Sequence, residues 1–198
     1  MCFGVGDCRV HGNKMNMIFN TSAQNGRAIL FDGHTMGGEA WNNPILCTNN
    51  RCVRVRSSFN INIHDNVFTD INGSGVHLGD PDTGTDDLNV TVEHNQFQVD
   101  DNSQGIFTRS SVDMFVHDNI FTCGGPLCQG RVAYARQPNT GAITVLTVFN
   151  NPSALTFQSP QIWVEPGSTV NVCNTGTAAA GPVGLGTINQ IPSCPPPQ

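Results

Sequence analysis

Apolar and polar residues alternate in short runs along this chain, and the runs return. The segment CVRVRSSFNINIHDNVF (52–68) aligns without gaps on GIFTRSSVDMFVHDNIF (105–121), so that Val53, Val55, Ile63, Asn66 and Phe68 fall on Ile106, Thr108, Val116, Asn119 and Phe121. Alternation over so few residues is the mark of a half-buried strand, and almost no stretch has helical periodicity. A shorter motif recurs four times: VHGNKM at 10–15, IHDNVF at 63–68, VEHNQF at 92–97 and VHDNIF at 116–121. Each copy places a β-branched residue (Val10, Ile63, Val92, Val116) three positions before an asparagine (Asn13, Asn66, Asn95, Asn119). The last two asparagines are 24 residues apart and the preceding pair 29, with the insertion DPDTGTDD (80–87) between them. A period of that length is the signature of a solenoid in which each repeat is one coil.

Parallel strands stacked about 4.8 Å apart set equivalent side chains above one another, so every position of the repeat becomes a column that must be compatible with itself. Asn66, Asn95 and Asn119 can pass side-chain amide hydrogen bonds from coil to coil, which satisfies turn backbone that burial would leave unpaired. Phe68, Phe97 and Phe121 are expected to stack inside. Weaker members extend the series to Asn49 and Asn151, for six or seven coils, while Asn174 is one place out of phase. Two β-type runs per coil, and a third after the asparagine, describe an all-β, right-handed parallel β-helix with an asparagine ladder. On these residues the chain resembles the pectate-lyase-like (pectin lyase fold) superfamily over most of 10–175. The expected organisation is a β-helix domain over 1–175 and an irregular Gly/Pro-rich cap or tail over 176–198.

Charge and cysteine content narrow the function. A formal net charge of −6, with Lys14 as the only lysine, argues against nucleic acid, which needs a basic surface. No apolar run is long enough to span a membrane. The eight cysteines fall into sensible local pairs, Cys2/Cys8, Cys47/Cys52, Cys123/Cys128 and Cys173/Cys194, although other connectivities are open. Such pairs favour a secreted or extracellular protein, and the sequons at Asn20, Asn72 and Asn89 agree with that. Open solenoid ends invite cover, so an oligomer or a longer parent chain is the expected partner there.

Chemistry is expected on the strand that precedes the repeated motif. With Val53, Val55, Val76, Leu78, Ile106 and Thr108 inward, alternation turns Arg54, Arg56, His77, Phe107 and Arg109 outward, joined by Asp32 of AILFD. The insertion leaves this strand and overhangs it with Asp80, Asp82, Asp86 and Asp87. The resemblance implies a polysaccharide lyase or related glycan-cleaving enzyme, in which a base removes the proton next to a uronate carboxylate and positive charge or Ca²⁺ neutralises the enolate. In that reading Arg56 and Arg109 clamp the carboxylate, His77 is the base, and the aspartates offer Ca²⁺ its oxygen ligands. Asp32, Arg54 and Phe107 would line the substrate, and Trp41, read as part of the loop 33–44, would stack on a sugar ring. The same residues also suit a non-catalytic extracellular module, such as an adhesin or fibre component. Lys14 lies outside the face and so offers no lysine base, and DPDTGTDD differs from the DPHE pattern of mannuronan epimerases. A second column, His64, Glu93 and His117 with His11 above, offers metal-type ligands but is explained by a hydrogen-bonded surface row.

Overall fold

The computed structural model describes residues 1–18, 27–48, 51–79, 87–138, 142–158 and 160–195. The chain begins with β1 (Cys2–Phe3), β2 (Gly6–His11) and β3 (Met15–Ile18), then β4 (Arg27–Asp32), β5 (Met36–Trp41) and β6 (Pro44–Thr48). It continues through β7 (Arg51–Val55), β8 (Phe59–His64), β9 (Val67–Ile71), β10 (Ser74–Leu78), β11 (Asp87–Glu93) and β12 (Gln96–Val99). Next come β13 (Gln104–Thr108), β14 (Ser111–His117), β15 (Ile120–Cys123), β16 (Arg131–Ala135) and β17 (Thr144–Phe149). A short 3₁₀ helix (Pro152–Thr156) precedes β18 (Ile162–Val164), β19 (Ser168–Cys173), β20 (Ala178–Ala180) and β21 (Thr187–Gln190).

These strands form three sheets in which every named pair is parallel. Sheet A has the order β1-β4-β7-β10-β13-β16-β18-β20, sheet B β2-β5-β8-β11-β14-β17-β19-β21, and sheet C β3-β6-β9-β12-β15. The chain thus visits A, B and C in rotation, a pattern consistent with a parallel β-helix. Inward positions form apolar columns, as register requires. Ile29, Val53, Val76, Ile106, Ala133 and Ile162 make one in sheet A, and Ala40, Ile63, Val92, Val116, Val148 and Val172 another in sheet B, all buried. Under sheet C the rings of Phe68, Phe97 and Phe121 stack at 4.7 and 4.9 Å. Full burial of each such side chain contributes about 1.5–3 kcal/mol, so the columns are the main cohesive element.

The corner between sheets B and C repeats most strictly. Gly12, Asn42, Asp65, His94, Asp118, Asn150 and Asn174 all have φ between 47° and 66°. This left-handed conformation is costly for most L-residues and least so for glycine, asparagine and aspartate. The residue after each one joins a series of polar side chains, exposed at Asn13 and buried from Asn43 onward. Asn66 donates its backbone N–H and Nδ2 to Asn95 Oδ1 at 2.9 and 3.0 Å, and Asn95 repeats this on Asn119 at 3.0 and 3.1 Å. Nδ2 of each also reaches main-chain carbonyls, those of Ala40 and His64 for Asn66 and of Ile63 and Glu93 for Asn95, all at 2.8 Å.

The series runs from Asn13 through Asn43, Asn66, Asn95, Asn119 and Asn151 to Thr175. Asn43 takes the place expected for Asn49, which lies outside the described residues. Asn174 is out of phase because it is the left-handed corner residue, and Thr175 is the acceptor. Nor do the sheets stop at 175: β20 and β21 extend A and B to Gln190, because backbone pairing admits a run of alanines without an apolar pattern. The four local cysteine pairs, Cys2–Cys8, Cys47–Cys52, Cys123–Cys128 and Cys173–Cys194, are bonded, with no free cysteine. They are compatible with a secreted protein. Among the described residues no helix is long and apolar enough to cross a membrane.

Candidate functional site

Three rows of side chains cross the outer face of sheet A. The first joins Arg27, Arg51, Ser74, Gln104 and Arg131 in register. The second, outward between the core positions, is Leu30, Arg54, His77, Phe107, Tyr134, Trp163 and Ala179. Backbone bonds just past the strand ends set the third: Arg56 N–H to Phe31 O, Gly79 N–H to Val55 O, Arg109 N–H to Leu78 O, Arg136 N–H to Thr108 O and Glu165 N–H to Ala135 O, at 2.9–3.1 Å. Asp32, Arg56, Gly79, Arg109, Arg136 and Glu165 are therefore neighbours on successive strands. Arg27, Arg51, Arg54, Arg56, Arg109, Arg131 and Arg136 make seven of the nine lysines and arginines of the chain. Gly79 is obligatory, since its φ is +89° and an added Cβ would lie 1.7 Å from Arg109 O.

The outward positions are less open than alternation implies. Asp32, Arg54, His77 and Phe107 are buried, with His77 only 4% exposed. Stacked strands explain part of this, because a ring at one level covers the ring at the next: His77 lies on Phe107 at 4.4 Å, and Phe107 meets Tyr134 edge-on at 5.5 Å. Neither ring nitrogen of His77 reaches solvent or has a hydrogen-bond partner among the described residues. Burial, and then the charges of Arg51, Arg54, Arg27 and Arg136, hold its pKa well below the usual histidine value, so the ring is neutral at pH 7.

Arg56 is committed to Asp32: its Nε donates to Oδ1 at 2.7 Å and its other donor nitrogen to Oδ2. Burial opposes ionisation of Asp32, but the Arg56 and Gly33 hydrogen bonds and the charges of Arg56 and Arg54 outweigh it and hold the carboxyl below its usual range. Arg27, Ala28, Leu30, Asp32 and Arg56, with Met1, line a hollow of about 440 Å³. Arg109 stands two strands from Arg56, roughly 10 Å away across Gly79, and its Nε donates to Gln137 O at 3.0 Å. The two arginines expected to clamp one carboxylate thus have separate protein partners.

No protein-family model matches the chain, and no curated protein or solved structure matches it. The resemblance to the pectate-lyase-like superfamily accordingly rests on the repeat and the all-parallel sheets.

One further expectation changes. Trp41 ends strand β5 of sheet B instead of sitting in a loop beside sheet A. It lies between His11, stacked at 4.3 Å, and His64 at 5.9 Å, because Gly37 (φ 77°) bends the strand without ending it. Asp80, Asp82 and Asp86 lie outside the described residues, and only the backbone of Asp87 is among them, as the first residue of β11 opposite Ser111. Among the described residues no group of three or more His, Cys, Asp or Glu side chains is placed to hold a metal. In the His64, Glu93 and His117 column, each imidazole instead meets a neighbouring acid, with Nδ1 2.8 Å from Asp65 and from Asp118 respectively.

The far end of the face holds Tyr134, Arg131 and Glu165, missed by sequence reasoning, and Trp163, whose strand surroundings suggest core or cap. Tyr134 and Trp163 are half-buried, and the Arg131 guanidinium sits 4.3 Å over the Trp163 ring. The Tyr134 hydroxyl donates to Glu165 Oε1 and the Gln137 N–H to Oε2 at 2.9 Å. Burial first, then the Glu165 hydrogen bond and charge, push the Tyr134 phenol well above its usual pKa.

Proposed function

We propose that the chain is a right-handed parallel β-helix that binds an acidic polysaccharide along the outer face of sheet A. The observation that carries this reading is the gathering of seven of nine cationic residues on one sheet face of a chain whose formal net charge is −6. Guanidinium groups pair bidentately with carboxylate and with other planar or tetrahedral anions, and Tyr134 and Trp163, the half-buried aromatic residues of the second row, support the apolar faces of sugar rings. The right hand follows from the bias of parallel crossovers, and the series from Asn13 to Thr175 serves as the ladder of about seven coils.

Binding is favoured over cleavage because the residue best suited as a base, His77, is sealed. Its neutral ring is what keeps elimination by a lyase as the second reading. Mixing the protein with polygalacturonate, alginate and a sulfated glycosaminoglycan, with and without Ca²⁺, separates the two. Retention of an acidic polymer that high salt abolishes, without growth of unsaturated-product absorbance, supports a binding module; absorbance growth lost on His77→Ala supports a lyase. Absence of both refutes the proposal.

A further inference from the structure

Resting on that reading, we infer that the sugar-recognition subsite is the end of sheet A built by β16, β18 and β20, with Trp163 and Tyr134 as the ring platform and Arg136 as the anion contact. The second row is closed at its start, where Leu30, Arg54, His77 and Phe107 are all buried, and opens only at Tyr134 and Trp163. Trp163 is fixed on two sides: Arg131 covers its ring at 4.3 Å, and Tyr134 meets it edge-on at 5.6 Å and 90°. On the next strand its register partner is Ala179, in the run Ala178–Ala180, whose methyl groups are too small to cover an indole. A held, partly open indole beside small side chains is a surface prepared for a flat, amphipathic ring.

The charges around it select an anion. Both oxygens of the buried Glu165 carboxylate are engaged by Tyr134 and Gln137, so the one acid at this end is already occupied. Arg136 is exposed and in register with Glu165, two positions along from Trp163 on the neighbouring strand. The two Cα atoms are therefore roughly 8 Å apart, within reach of a ring and its substituent. A pyranose on the indole presents its carboxylate or sulfate to that guanidinium. A neutral sugar makes no use of Arg136, and an apolar peptide makes no use of the arginines on either side.

The chain has two tryptophans, so Trp41→Phe leaves Trp163 as the sole indole. That protein would be titrated with oligogalacturonate, a sulfated glycosaminoglycan fragment and uncharged dextran, following emission and, in parallel, heat of binding. We expect a saturable emission change with an acidic oligomer and none with dextran. Trp163→Ala and Arg136→Gln should each weaken binding about tenfold. Arg136 is exposed, so Arg136→Gln tests the subsite even if Trp163→Ala fails to fold, and Arg9→Gln, at an exposed position of sheet B, should bind as the parent does. Heat of binding with static emission, and Arg136→Gln binding as the parent does, would place recognition elsewhere on the face and leave the broader reading intact. No binding of any acidic oligomer would refute both, and preference for a single-stranded oligonucleotide would overturn the glycan assignment.

Discussion

Replacing His77 by phenylalanine should change how the stability of this protein depends on pH. Unfolded, the imidazole titrates near the usual histidine value of about 6.5; folded, burial and four arginine charges hold it well below that. Between the two values the unfolded chain binds a proton that the folded chain refuses. The stabilising contribution of the neutral ring is therefore complete above about pH 6.5 and is lost as pH falls from there toward the folded pKa. From about pH 7.5 to about pH 5.5, protonation of the unfolded chain at this one site removes at most about 1.4 kcal/mol. Phenylalanine keeps the ring stacked on Phe107, which lies 4.4 Å from His77, and has nothing to titrate. Denaturant unfolding of both proteins, with the bridges intact, at several pH values across that range measures the difference directly. The stability of His77→Phe relative to the parent should rise as pH falls across it, by up to about 1.4 kcal/mol. A difference that stays constant would mean that the folded ring titrates as it does in solvent, and one that falls would mean that the folded state favours the charged ring; either result would collapse the sealed-face argument.

Three other experiments probe the frame. Asn95→Ala should cost at least about 3 kcal/mol, because it strands the carbonyls of Ile63 and Glu93 and the amide of Asn66 in the interior; Asn13→Ala, at the exposed end of the series, should cost far less, and paired thermal melts would show it. Gly79→Ala should prevent accumulation of folded protein, since its Cβ would collide with Arg109 O, whereas Gly12→Ala, with open space around it, should carry only about 1–2 kcal/mol of backbone strain; circular dichroism of the purified variants separates the cases. Opening Cys173–Cys194, which are 21 residues apart, by double replacement with serine should lower stability by about 3 kcal/mol in the same unfolding assay.

Much of the frame is legible in the sequence because parallel stacking forces like onto like. The alignment of 52–68 on 105–121 is a statement about register, and Val53, Val76 and Ile106 occupy one column for that reason. Local cysteine spacing is legible on the same ground, since each pair lies within or beside one circuit. The face is harder. Alternation tells which side of a sheet a residue takes, but not whether that side is open, and so Arg54 and His77 read as solvent-facing when they are buried. Paired glycines at 37 and 38 read as a loop, whereas Gly37 kinks β5 and Gly38 leaves room for Ile61 and Phe31. Trp163 in QIWVEPG reads as a strand residue of the core or cap, and Tyr134 and Arg136 escape notice because their strand lacks the asparagine motif; laying VAYAR (132–136) on GIFTR (105–109) would have put Arg136 beside Arg109.

Successive members of the amide series are 30, 23, 29, 24, 32 and 24 residues apart, yet the corner that carries them hardly changes its geometry. Each left-handed residue and the polar side chain after it act as a phase reset: whatever length the chain gains elsewhere in a circuit is cancelled before the next one begins. Variation in length stays local, because a segment spliced into the other two corners does not shift the register of any strand downstream. The fold can thus be edited one circuit at a time, and a foreign peptide set between sheets A and B would be displayed at a fixed height along the stack.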